Sequence, residues 1–458
     1  MNTKLFNWLP VAALALGAFA CQTDDVNTST GADPRGEEYT VTTPSEISDS
    51  RAAELTASHQ QFACNLASEI ALPGENTVLS PLSMYNFMAM MANGADGQTL
   101  DQILKVLGAD SREEVIALCR RQLDSFAAIE AQNQEIPMPS FDDYDREIFT
   151  DEQIAELIEA STKELNELKT QTTLANAIWF DSNLEAPYQT YMDECKQWLD
   201  ANANCIDFKD PSSPMLINQW INEKTNGMIP KIVPSFGQIL TEIVCTNALY
   251  LNVKWTQGFS IAKEKMTFKN FDGTTSKRIA LNVMERFKYL ETNEAQFIDI
   301  PLGSIKEQLT YTIILPKSES IDATTILPLA AQNVNSLPSK TLIELTIPEH
   351  KIETDMDELR YSLENLGMTY AFDKNKADFS RMGGFKFKVF NVAHKASINV
   401  CESGIEAAAG TANYWCTSDG KEKEPLKPLV INVDRPFAFR ITDNATGMVL
   451  FIGVVNRL

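Results

Sequence analysis

The chain has 458 residues, a length that by itself suggests two or three domains. Its 39 basic and 62 acidic residues give a formal net charge of −23. That balance excludes nucleic acid as a partner, because phosphate binding needs clustered Lys and Arg, and it disfavours heparin-like polyanions on the same ground.

The first segment reads as a leader. Lys4 precedes an apolar run from Leu9 to Ala20 that is too short to span a bilayer as a stable helix, and the run ends at Cys21. Residues 1–20 therefore have the layout of a signal peptide. Ala18-Phe19-Ala20-Cys21 resembles a bacterial lipoprotein cleavage site, at which Cys21 becomes the lipidated N-terminus. The alternative is an ordinary secretory signal cut near Ala20. Gln22-Thr23-Asp24-Asp25 resembles the acidic surface-export tag of Bacteroidetes lipoproteins. Residues 21–50 are rich in Thr, Ser, Asp, Glu, Gly and Pro and poor in apolar positions, the composition of a flexible tether.

Beyond the tether, distinctive strings follow one another. Thr77-Val78-Leu79-Ser80-Pro81-Leu82-Ser83 opens an apolar helix. The stretch from Glu130 to Leu168 is strongly acidic, with Asp142-Asp143-Tyr144-Asp145 and Asp151-Glu152. Ile217-Asn218-Gln219-Trp220-Ile221-Asn222-Glu223-Lys224-Thr225-Asn226-Gly227 is followed by Thr246-Asn247-Ala248-Leu249-Tyr250-Leu251-Asn252-Val253-Lys254-Trp255. Then come Leu345-Thr346-Ile347-Pro348, Leu366-Gly367-Met368 and Ala377-Asp378-Phe379-Ser380. Ala396 to Cys401 alternates apolar and polar residues, the pattern of a strand with one buried face. After Glu402-Ser403-Gly404 the run Ile405-Glu406-Ala407-Ala408-Ala409-Gly410-Thr411 is small-sided. Ala favours helix and lacks the branching that strands prefer, so this run suits an exposed helical or irregular loop. It would also slide into a packed sheet without clashing. Ala412 to Pro425 reads as an exposed loop, and Asp434-Arg435-Pro436-Phe437 and Leu450-Phe451-Ile452-Gly453 close the chain.

Taken in this order, the strings from about Leu55 onward resemble the serpin family. The resemblance implies a single α+β domain over residues 51–458, with three β-sheets, about nine helices and an exposed reactive-centre loop at about 402–428. It implies suicide inhibition of a protease: the loop is cut, inserts as a new central strand in the large sheet and traps the enzyme as a distorted acyl-enzyme. Serpin loop insertion is a known instance of strand addition and of released strain. The hinge would be Glu402, Gly404, Ile405, Ala407, Ala408, Ala409 and Thr411. Ile405, Ala407, Ala409 and Thr411 would face the core, since strands alternate faces. No Pro lies between Glu402 and Thr417 to block pairing. Two departures from the family pattern stand out: Ser403 where an acidic residue is common, and Ile405 in place of the usual Thr. By resemblance Ser80, Ser83, Asn247 and His394 form the shutter beneath the large sheet. Trp255 belongs either to the breach at the top of the opening or to the plain core.

The resemblance also implies a reactive bond. The family's usual span of about seventeen residues, counted from Glu402, would place the cut between Ser418 and Asp419, and a strand of that length at ~3.3 Å per residue would span the sheet. Counting back from Asp434 places it near Pro425, seven residues later, so the loop is longer than usual. Ser418 suits an elastase-like or subtilisin-like serine protease. Lys421 or Lys423 would suit trypsin-like or papain-like enzymes, and Trp415 a chymotrypsin-like one. A serpin that no longer inhibits and acts as a surface binding module is the alternative.

Other roles find little support. The chain has three His and none of G-x-S-x-G, H-E-x-x-H, P-loop or G-x-G-x-x-G, so no catalysis, cofactor or metal is expected. An envelope hydrolase would need His394 as a catalytic group. Of the eight Cys, Cys21 goes to the lipid, and the others show no metal spacing. Cys195 and Cys205 are the closest pair in sequence, and Cys416 would be a reactive thiol in the loop. The acidic stretch reads as a solvated insertion or as a docking surface for a basic protease. The expected protein is a monomeric, exported lipoprotein of the outer membrane, bound to the membrane only through its lipid, with a protease as partner.

Overall fold

The computed structural model describes residues 44 and 46–458, apart from 147, 234–241, 304–305, 319–320, 332–339, 357–358, 385, 387, 390–391, 393 and 406–426. The architecture is mixed α+β with sheets of nine, six and two strands, the class that the sequence implied.

The helices on the core side explain the first motif. The helix Pro81–Gly94 starts at Ser80, whose Oγ accepts a hydrogen bond from Ser83 N, and Pro81 occupies the first turn where its missing N–H costs nothing. Every residue of this helix is buried, as expected of a helix that is apolar all round. Asp49–Ile70 packs beside it, and Gly97–Leu107 ends on Gly108 in the left-handed conformation (φ 69°).

The six-stranded sheet runs His350–Met356, His394–Cys401, Gly404–Ile405, Ile243–Lys254, Gln171–Asp181, Ala201–Ile206. One face covers the main core. The other is covered by the helix Ser213–Lys224, whose Ile217 and Ile221 pack with Ala175, Ala177, Trp179 and Ala248. Burial on both faces accounts for the near-continuous apolar run at Ala175–Phe180.

The nine-stranded sheet runs Thr77–Leu79, Val449–Val455, Phe437–Asp443, Leu309–Pro316, Ala295–Leu302, Ala280–Glu291, Lys340–Pro348, Leu429–Asn432, with Ser260–Ile261 beside Ala280–Glu291. Phe437–Asp443 and Val449–Val455 are wholly buried, which is why the closing motifs are so apolar. The acidic stretch carries its own helix, Asp151–Glu167, begun by a capping box between Thr150 and Gln153. Ile154 is its one buried residue, so its acidic side chains face solvent.

Candidate functional site

The site is built where the sequence changes from alternating strand to small residues. His394–Cys401 ends in a turn at Glu402-Ser403, and the chain returns as the two-residue strand Gly404–Ile405. This short strand pairs antiparallel on both sides. Ile405 stands opposite Val400 and Val253, and Gly404 opposite Cys401 and Lys254. Ile405 is 2% exposed and points into the main core. Among the described residues the long strands on either side, Ile243–Lys254 and His394–Cys401, pair with this short strand and not with each other.

Gly404 is required by its position. Its φ is 153°, and a Cβ there would lie 2.2 Å from Val253 O and 2.7 Å from Lys254 Cα. Both atoms are backbone and cannot move aside, so any other residue would push the short strand out of the sheet.

Three consecutive carbonyls of the turn are held by one neighbouring segment. Trp255 Nε1 donates to Cys401 O at 2.8 Å, Phe259 N to Glu402 O at 3.2 Å, and Trp255 N to Ser403 O at 3.2 Å. The Trp255 indole is fixed by Phe259 and Tyr311, with ring centroids 5.1 and 5.7 Å away. Cys401 Sγ lies 3.3 Å from Ser403 Oγ and 3.5 Å from Gly404 O, inside the same turn. Trp255 therefore does more than fill the core: it holds the turn that precedes Gly404–Ile405.

Deeper in the sheet lies a buried polar group. Ser80 N donates to His394 Nε2 at 3.1 Å, which makes Nε2 the acceptor and puts the ring proton on Nδ1. Asn247 Nδ2 donates to Asn176 Oδ1. His394 Nδ1, Asn247 Oδ1 and Ser83 Oγ have no hydrogen-bond partner among the described residues. The register of the hinge relates the first two. Val253 and Val400 face each other across Ile405; six residues back along each strand, Asn247 and His394 stand level. One offers an unused donor and the other an unused acceptor, each with a cost of ~1–3 kcal/mol while unpaired.

His394 is 1% exposed, and burial lowers its pKa to about 4, so the ring is neutral at pH 7. A ring so enclosed has no access to a substrate, and its hydrogen bond to Ser80 is a structural one.

Ser80, Ser83 and His394 come together, Asn247 sits one strand away, and Trp255, Gly404 and Ile405 meet at the top. Cys21, Ala407, Ala408, Ala409, Thr411, Trp415, Cys416, Ser418, Asp419, Lys421 and Lys423 lie outside the described residues. Cys195 is a free, buried thiol and does not pair with Cys205; burial pushes it up to about 12. Sequence reasoning missed Asn176 and Phe259. Asn176 is a polar residue inside an apolar strand, a signal that was available. Phe259 acts through its backbone N–H, which any residue but Pro supplies, so no side-chain pattern reveals it.

Comparison with known proteins identifies the family and the fold. The family model described as Serpin (serine protease inhibitor) matches residues 57–458. An uncharacterized serpin-like protein of Methanosarcina acetivorans is 29% identical over 432 residues, covering 92% of this chain and 90% of that one. The thermophilic serpin tengpin in its native state superposes with a TM-score of 0.72 at 27% identity, covering 91% of this chain and 96% of that one. Its latent state superposes with a TM-score of 0.66 at 26% identity, covering 90% and 99%.

Proposed function

This chain belongs to the serpin family, whose members are generally protease inhibitors, and we propose that it is a suicide-type inhibitor of an elastase-like or subtilisin-like serine protease. The observation that carries the reading is that Gly404–Ile405 already pairs with both neighbouring strands. Insertion is then the lengthening of an existing strand, which avoids the cost of starting a new one. The protease attacks the Ser418–Asp419 bond and forms an acyl-enzyme. The freed segment then zips downward from Ile405, carrying the enzyme with it.

The register names what each inserting residue meets. Side chains at 407, 409 and 411 follow Ile405 onto the buried face, and two of these are Ala. Thr411 arrives level with Asn247 and His394. Its hydroxyl can accept from His394 Nδ1–H and donate to Asn247 Oδ1, which pairs both groups at once. Completing buried hydrogen bonds only in the inserted state helps drive insertion forward.

In the same reading Cys21 carries a lipid, residues 21–50 tether the domain to the outer membrane, and the protein acts there as a monomer. The test is to mix the domain with elastase-like, subtilisin-like, chymotrypsin-like, trypsin-like and papain-like proteases, run denaturing gels and identify the released C-terminal peptide by mass spectrometry. A detergent-stable band of summed mass with a peptide starting at Asp419 is expected. A peptide starting after Lys421 or Lys423 would move the bond and the target class. Clean cleavage with every protease still active would replace inhibition by a surface binding role.

A further inference from the structure

The nine-stranded sheet carries a polar row that inhibition does not use. Lys340, Lys288, Asp299, Thr312 and Arg440 stand directly opposite one another on five neighbouring strands. Directly opposed residues point to the same face, so these side chains form one line across the sheet. At its inner end Arg440 is 4% exposed and its Nε has no hydrogen-bond partner among the described residues. At its outer end the line opens into a recess of about 280 Å³, whose lining includes the cations Arg286, Lys288 and Lys340, the carboxylates Asp299 and Glu307, and Asn444.

The charge arrangement there needs a reason. Lys288 and Lys340 are like charges placed directly opposite, which is destabilising in a sheet. Arg286 lies two residues from Lys288 and so on the same face. Lys340 has Glu307 at 3.5 Å. The Asp299 carboxylate is engaged by Thr312 Oγ1 at 2.7 Å. Asp299 also attracts Lys288, which stands directly opposite it, and among the described residues Arg286 is in no ion pair. Such convergence of cations is unexpected in a chain of net charge −23.

We propose that this recess binds a small tetrahedral oxyanion, inorganic phosphate or sulfate, between Arg286, Lys288 and Lys340. The anion relieves the repulsion of the opposed lysines, and Asn444, whose amide accepts from Thr310 Oγ1 and donates one N–H to Glu307 O, has a second N–H to offer it. An Arg fork with two ammonium groups suits the several oxygens of such an ion. The recess, of about 280 Å³, also sets a limit on size. The site lies on the sheet that does not open, so binding stabilises the scaffold and is independent of loop insertion.

The test is thermal melting of the full chain with phosphate or sulfate replacing chloride at constant ionic strength, alongside the R286Q/K288Q double variant. A saturable rise of roughly 2–5 °C is expected for the parent and none for the variant. Each protein is compared with itself in chloride and in phosphate, because K288Q also removes the attraction between Lys288 and Asp299. Phosphorus NMR of inorganic phosphate gives a second readout: its line should broaden with the parent and stay sharp with the variant, and with a K340Q variant it should broaden less. An equal, unsaturating rise in both proteins would be general surface exclusion and would overturn the site. So would a flat response, or a rise seen only with a sulfated oligosaccharide.

Discussion

At the scale of single residues, Gly404, Thr411 and His394 carry the account. Gly404 lets the backbone pass within van der Waals contact of Val253 and Lys254. On the proposed insertion, the register begun at Ile405 would bring Thr411 opposite the unpaired Asn247 Oδ1 and His394 Nδ1. Replacing it with Val keeps shape and removes the hydroxyl. T411V should leave the uncut protein unchanged and lower the stability of the loop-cleaved form by ~1–3 kcal/mol, read by denaturant unfolding of both forms. Equal loss in both forms, or none, would remove Thr411 from the shutter. The histidines predict a pH dependence. His59, His350 and His394 are each buried with pKa lowered to about 4 by desolvation, against about 6.5 when unfolded. Between those values the unfolded chain holds more protons, so stability falls as pH drops from about 6.5 to about 4, by up to about 3 kcal/mol per histidine, and is level above that window. The urea midpoint should decline across it, and an H394Q variant should decline less steeply. Identical slopes would mean that His394 is not buried neutral.

At the scale of elements, the proposed hinge would extend a strand already begun at Gly404–Ile405. Its continuation depends on small side chains, so a charged residue on the inward face should stop it. A409R is expected to turn the protein from inhibitor to substrate: cleavage continues, and the detergent-stable complex falls at least tenfold on a gel. A variant that traps as well as the parent would contradict zipping through position 409. The elements differ in how far they could be read in advance. The alternation at Ala396–Cys401 marked its strand, and the string Thr246–Trp255 marked the strand on the other side of the hinge. That Gly404–Ile405 pairs with both was not readable, because two residues give no periodicity and their partners lie about 150 residues apart in one direction. The helix Asp151–Glu167 was hidden by the charge of its surroundings, although Thr150 and Gln153 spell a capping box. Asn176 was lost inside an apolar run, where a buried amide makes sense only once its partner Asn247 is placed beside it.

At the scale of the whole molecule, the two large sheets divide the work. The nine-stranded sheet holds the closing motifs and the polar row and is continuous from strand to strand. The six-stranded sheet is joined at its centre by a strand of two residues. On the proposed mechanism, pairing that among the described residues stops at Ile405 leaves stability still to gain, and the fold would persist as a kinetically trapped state. The central claim is that the loop supplies the missing pairing once it is cut. The most direct test is the thermal unfolding of the domain before and after limited cleavage within residues 406–426, with the two fragments kept together. The account predicts a large rise in Tm after cleavage, together with new amide-exchange protection along Ile243–Lys254 and His394–Cys401. An unchanged or lower Tm, with exchange in those strands unaltered, would show that the cut loop stays outside the sheet and would contradict the account.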